Sequence, residues 1–308
     1  MLRTLLAAII LSSVSVPALA WNDRGHMTVA AVAWANLTPR AKAEATRLLK
    51  LNPDYDYWTR DVATDRRDEV AFVKAATWAD SIRGRYTDDG FDPVEPTGSL
   101  HIGYADRYVH RYWHYKNLPF SPDGTALEPS SDVNAAERIR LFSSALAEPG
   151  TSDDIKSFDL SWLLHLVGDI HQPLHASARY TSSFRHGDNG GNSVKVCHHE
   201  AAQCGLDDSL HGFWDGAIGN SKDPASAIRK AASLPKPGTR ELEEQDPEAW
   251  ARESFALAET YAYASPIGLK KGPYRLTPSY HRDAGSTSEQ RVALAGARLA
   301  VMLNRAFR

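Results

Sequence analysis

The chain has 308 residues, with 35 Lys and Arg against 38 Asp and Glu, a formal charge of −3 at neutral pH. That balance excludes a protein that grips nucleic acid through a broad basic surface. The length allows one large domain or two; no Gly/Ser linker or internal repeat divides it, so one domain is expected.

Met1 to Ala20 reads as a cleaved secretory leader. Arg3 supplies the positive start, Leu5 to Val16 is mostly apolar but too short to span a bilayer, and Pro17-Ala18-Leu19-Ala20 is a small-residue cleavage site. The competing reading is an N-terminal membrane anchor. No later stretch reaches the length of a membrane span. An exported protein is expected, periplasmic or secreted, with residues 21–308 as its single domain, without a membrane anchor and monomeric. Loss of Arg3 takes the charge from −3 to −4. Cleavage also creates an α-amine on Trp21, a group that can ligate zinc once deprotonated. His26 follows five residues later, near enough to share the ion. WNDRGH reads equally as a loop running into a helix, since Met27, Val29, Ala30, Ala33 and Trp34 have a helical look.

Thr38-Pro39 is an N-cap followed by proline at the first helical position, opening a helix through Leu48 and Leu49 that stops before Asn52-Pro53. Asp61 to Asp80 carries one or two helices. Arg83 to Gly103 reads as loop, and Tyr108 to Lys116 alternates weakly, as a strand would. Asp132 to Ala147 has helical spacing. Phe158 to Leu174 is apolar almost all round, the pattern of a core helix, with Pro173 ending or bending it. Ala178 to Gly191 reads as loop and Asn192 to Val196 as a short extended piece. Pro247 to Ala264 and Ser286 to Phe307 are two further helices, the second opened by Ser286-Thr287-Ser288-Glu289. The class is mainly α.

Two short motifs carry the chemistry. HLVGDIHQPLH contains His165, Asp169 and His175; HGFWD contains His211 and Asp215. His165 and Asp169 are four apart, as are His211 and Asp215, so each pair shares a helix face. All five are ligand types for a borderline metal such as zinc, and they are too many for one tetrahedral site. A multinuclear zinc hydrolase follows as an expectation. A buried carboxylate in an apolar helix needs a cation or a basic partner. The plainer alternative makes Asp169 a cap or ion-pair partner and His165 a hydrogen-bonded core histidine. WADSIR holds Asp80 and Arg83 at a helix end, and WHYKN holds His114 among aromatics; neither is a zinc motif alone. Cys197 and Cys204 are expected to form a disulfide in an exported protein, the alternative being a small metal site with His198 and His199.

WNDRGH, WADSIR, WHYKN, HLVGDIHQPLH, GGN and HGFWD stand here in the order in which they occur in the S1/P1-type zinc nucleases, whose wider superfamily includes bacterial zinc phospholipases C. The resemblance covers Trp21 to Asp215. It implies a helical fold of the phospholipase C and S1/P1 nuclease type, with three zinc ions at the base of a cleft. It places one on Asp80, His114, His165 and Asp169, a second on Trp21, His26 and Asp169, and a third on His175, His211 and Asp215. It implies Tyr115 as a base-stacking residue and Asn192 as a contact to the base edge, with Asn117 beside them in substrate binding. Arg83 is the expected stabiliser of phosphoryl oxygens, and Asp80 and Asp169 are the expected catalytic carboxylates. The expected reaction is hydrolysis of RNA and single-stranded DNA to 5′-phosphorylated products, with release of phosphate from 3′-nucleotides and a metal-bridged hydroxide as nucleophile. A phospholipase C on the same framework and a non-catalytic zinc-binding protein are the rival readings.

Overall fold

The structure is a computed structural model describing residues 21–198, 200, 201, 204 and 208–308. The expected leader, Met1 to Ala20, lies outside these residues, as does His199. The fold is mainly α. Its helices are α1 (Asp23–Asn36), α2 (Pro39–Leu49), α3 (Tyr55–Thr59), α4 (Arg67–Ala75), α5 (Trp78–Ser81), α6 (Ala135–Ala147), α7 (Asp153–Asp169), α8 (Leu210–Asp215), α9 (Pro224–Ala232), α10 (Thr239–Glu243), α11 (Pro247–Leu257) and α12 (Pro278–Ala306). Among the described residues the strands form two parallel pairs, apart from isolated bridges. β1 (Leu118–Phe120) lies on β2 (Ser177–Arg179), and β3 (Val196–Cys197) on β4 (Tyr274–Arg275). Among the described residues no helix is long and apolar enough to cross a membrane.

α7 is the axis of the core. Ser152 caps it through Ile155 N–H, Asp153 and Asp154 occupy its first turn, and every residue from Ser157 to Asp169 is buried. α6, α2 and α1 pack on its sides. α1 lies in turn against α12, where the two backbones approach closely. A Cβ on Gly296 would fall 2.5 Å from the Val29 carbonyl, so only glycine fits that crossing. A second apolar cluster under Leu174, Val194, Trp214 and Tyr280 supports α8.

α7 ends at Asp169, earlier than the expected Leu174. Pro173 begins a separate 3-10 turn, Pro173–Ala176, capped by the Gln172 side chain. The weak alternation at Tyr108 to Lys116 does not make a strand. His110 takes a left-handed conformation and Arg111–His114 forms a 3-10 turn, with β1 starting only at Leu118. The expected loop at Ala178 to Gly191 begins inside β2. α12 begins at Pro278 under a Thr277 cap, well before the expected Ser286. Asp61 to Asp80 divides into a 3-10 turn (Thr64–Arg66), α4 and α5. α11 stops at Leu257 and passes into a π-turn, Ala258–Ala262. Cys197 and Cys204 are joined by a disulfide.

Candidate metal centre

Six elements meet at the buried end of α7. α1 brings His26, α5 brings Asp80, the 3-10 turn after His110 brings His114, and α7 brings His165 and Asp169. The Pro173–Ala176 turn brings His175, and α8 brings His211 and Asp215. Their ligand atoms form three groups, each within 4.8 Å internally: His26, His165 and Asp169; Asp80, His114 and His165; His175, His211 and Asp215. The first two groups share His165. The third is tied to the second because His175 Nδ1 lies 2.7 Å from the His114 carbonyl. Asp169 stands at the middle, 3.3 Å from His26 Nε2, 3.1 Å from His114 Nδ1 and 3.2 Å from His165 Nε2.

The backbone decides which ring atoms face inward. His165 Nδ1 lies on the Ala76 carbonyl at 2.7 Å and His211 Nδ1 on the Gly190 carbonyl at 2.6 Å. With the His175 contact, this puts the Nδ1 proton of three imidazoles on carbonyl oxygens. It leaves each Nε2 as an inward lone pair. Gln172 holds Asp215 through a 2.7 Å bond from its amide. Gly190 can serve as an acceptor here because its backbone is left-handed, and a Cβ would meet the Leu174 carbonyl at 2.6 Å.

These groups fit a cation better than they fit one another. The lone pairs of His175 Nε2 and His211 Nε2 face each other at 2.9 Å, a repulsive arrangement without positive charge between them. Ligands about 2.0–2.1 Å from a tetrahedral zinc lie roughly 3.3 Å apart, close to that spacing. Both ring nitrogens of His26, Nε2 of His114 and Oδ1 of Asp169 are buried without a hydrogen bond, a costly state for polar atoms. An all-nitrogen-and-oxygen donor set of this kind suits zinc.

Protonation favours the ligating forms of most of the imidazoles. Burial, then the neighbouring imidazoles and Arg83, holds His26 and His114 well below the usual histidine range. Burial and His211 do the same for His175. Burial, aided by the Arg83 charge, takes His211 down to about 4. His165 goes the other way: burial opposes its charge, but Asp169 and Asp80 together with its bonds to Asp169 and Ala76 carry it up. Burial lifts Asp169 to about 6 and Asp215 well above the carboxylate range. Without a cation, these acids resist ionisation.

The ligand groups open onto a cleft lined by Arg83, Phe91, Arg111, Tyr115, Asn117 and Asn192, with His114, His175 and His211 along it. Arg83 Nη2 is 2.8 Å from Asp80 Oδ1, while its Nε and Nη1 are buried without hydrogen bonds. Tyr115 donates to the Phe91 carbonyl at 2.6 Å, and Arg111 lies 5.1 Å from the centre of the Phe91 ring while bonding Asp88. Asn192 donates to the Asn189 carbonyl at 2.9 Å. Trp21 is fully buried. Its indole donates to the Gly168 carbonyl at 2.9 Å, which sets this residue beside Asp169 and His26. His171 turns away from the cluster, onto Val167 and Arg298.

Sequence reasoning missed Phe91, Arg111 and Gln172. Phe91 had a local signal, as a lone aromatic in the polar loop Gly90-Phe91-Asp92-Pro93. Gln172 had one inside the HQPLH motif. Arg111 had none.

The comparisons agree with this geometry. The family model described as S1/P1 Nuclease matches residues 21–308. Endonuclease 4 of Arabidopsis thaliana is 26% identical over 314 residues, covering 94% of this chain and 90% of that protein. Endonuclease 2 of the same plant is 29% identical over 310 residues, covering 93% and 90%. Nuclease P1 of Penicillium citrinum is 22% identical over 305 residues, covering 92% and 97%.

Proposed function

The chain belongs to the S1/P1 nuclease family, and from that premise we propose that it is an exported zinc-dependent phosphodiesterase that cuts RNA and single-stranded DNA to 5′-phosphorylated products and also removes phosphate from 3′-nucleotides. The observation that carries the reading is the convergence of three ligand groups on one cleft beside an arginine with unused donors. Nine residues would hold three zinc ions: Asp80, His114, His165 and Asp169 the first; Trp21, His26 and Asp169 the second; His175, His211 and Asp215 the third. When bound, zinc supplies concentrated positive charge, Lewis acidity at the phosphate and access to hydroxide near neutral pH.

The chain's own residues do the rest. Ala76, His114 and Gly190 carbonyls fix the imidazole rings, and Gln172 fixes Asp215. Arg83 aims planar N–H donors at the phosphoryl oxygens, where charge grows in the transition state. Tyr115, with Phe91 beside it, offers a stacking surface to the base, and Asn117 and Asn192 offer amides to its edge. Stacking of this kind suits unpaired strands of any sequence. With metal held by these residues, its charge would meet the phosphate, so an acidic chain could act on an acidic polymer.

Export is supported by the disulfide Cys197–Cys204 and by the family match starting at Trp21, the residue that leader cleavage would expose. Residues 21–308 then work as one monomeric catalytic unit. The test is to incubate the mature protein with RNA, denatured DNA, a 3′-nucleotide and phosphatidylcholine, with and without chelator. Chelator-sensitive cleavage of the first three is expected. Turnover of phosphatidylcholine alone would move the assignment to a phospholipase C, and zinc binding without turnover would make it a carrier.

A further inference from the structure

A second cleft meets the metal centre from another side. It runs between α1, α3, α4 and α5, and one of the residues lining it is Asp80, whose carboxylate belongs to the ligand groups. Arg83 lines the first cleft and touches Asp80 at 2.8 Å. The ligand cluster therefore lies between two openings, with that contact at the junction. A chain cut in its middle needs a path on both sides of the scissile phosphate.

We propose, resting on the nuclease reading above, that this second cleft receives the nucleotide on the 3′ side of the cleaved bond, with Tyr57 as the surface on which its base stacks. Tyr57 is 69% exposed, whereas its neighbour Trp58 is buried in the core. Its ring is held beside a cation, since Lys74 Nζ lies 5.8 Å from the ring centre and donates to the Trp58 carbonyl at 3.2 Å. The acids of the cleft are matched. Arg85 bonds Asp54 through two nitrogens and Lys222 lies 3.4 Å from Asp23, while Asp80 serves the ligand cluster. Lys74 is the lining cation whose partners are a carbonyl and a ring, and it is suited to a phosphate further along the strand. An exposed aromatic face beside an amine, in the same cleft as the Asp80 carboxylate, is the chemistry of a sequence-tolerant single-strand subsite.

The assignment makes a prediction that separates two substrates. Hydrolysis of the P–O3′ bond leaves the phosphate on the downstream nucleoside, so an oligonucleotide must place that nucleoside in the second cleft. A 3′-mononucleotide has nothing to place there. For zinc-loaded Tyr57→Ala, kcat/KM on short single-stranded oligonucleotides should fall about 5- to 100-fold, the loss of one base–aromatic stack, for every base tested. Turnover of the 3′-mononucleotide should stay unchanged, and Tyr57→Phe, which keeps the ring, should behave as the parent on both. Equal losses on both substrates, or an unaltered oligonucleotide rate, would overturn the subsite. If the parent protein cleaved neither substrate, the nuclease assignment itself would fall, and the subsite with it.

Discussion

Replacing Asp169 by Asn should have opposite effects on stability with and without zinc. In the metal-free protein, Asp169 is fully buried and its carboxyl is pushed up to about 6, first by burial. The ordinary value is 3.8, so ionising it costs about 3 kcal/mol at about 1.4 kcal/mol per unit. The sign follows from linkage. A carboxyl raised in the folded state supports folding fully below its unfolded pKa, and that support is lost as pH rises through about 6. Asn carries no charge and escapes the loss. In chelator at pH 8, Asp169→Asn should therefore melt at or above the parent, by up to several degrees. At pH 4, close to the ordinary value of 3.8, most of the difference should be gone. Zinc reverses the order: at about a thousand times its dissociation constant, each ion adds about 4 kcal/mol to the parent. The variant lacks the carboxylate that reaches His26, His114 and His165, and should gain from the third site alone. Thermal melts at both pH values, with chelator and with zinc, read all four states. A variant less stable than the parent in chelator yet equally stabilised by zinc would refute the reasoning.

Other residues give separate readouts. Arg83→Ala should lower kcat about 100- to 1,000-fold with zinc content unchanged, and an unaltered kcat would remove Arg83 from the mechanism. One extra residue ahead of Trp21 moves the free amine away, so such a protein should carry one zinc fewer; full metal content would show that the amine is not a ligand. Gly190→Ala should cost about 1–3 kcal/mol and loosen the third site. Gly190→Asn should fare no better, because the clash with the Leu174 carbonyl remains even where left-handed backbone is tolerated. Urea melts and zinc counts on both variants check this.

Much of the centre was legible because two of its ligand pairs are local. His165 with Asp169 and His211 with Asp215 each sit four apart on one helix, and a buried carboxylate in an apolar helix demands a cation. His26, Asp80 and His114 carry no such signal. They reach the site through tertiary packing of three separate elements; the ordered resemblance of their motifs pointed to all three, and for His26 so did its spacing of five residues from the Trp21 amine. The orienting carbonyls of Ala76 and Gly190 belong to the backbone and leave no mark on residue identity. In the fold, Thr38-Pro39 correctly announced α2, and the same Thr-Pro signature at Thr277-Pro278 opens α12. Arg282, Asp283 and Gly285 give that first stretch a polar, loop-like composition that hides the signal. At Tyr108 to Lys116 the alternation misled, since His110 turns left-handed and its ring stacks on Trp113 at 3.6 Å.

The most direct measurement is the zinc count of correctly processed, active protein, followed through stepwise chelation. Three ions per chain are expected, with cleavage of single-stranded nucleic acid falling as they leave and returning when zinc is restored. Full cleavage by material that holds no transition metal would contradict the account.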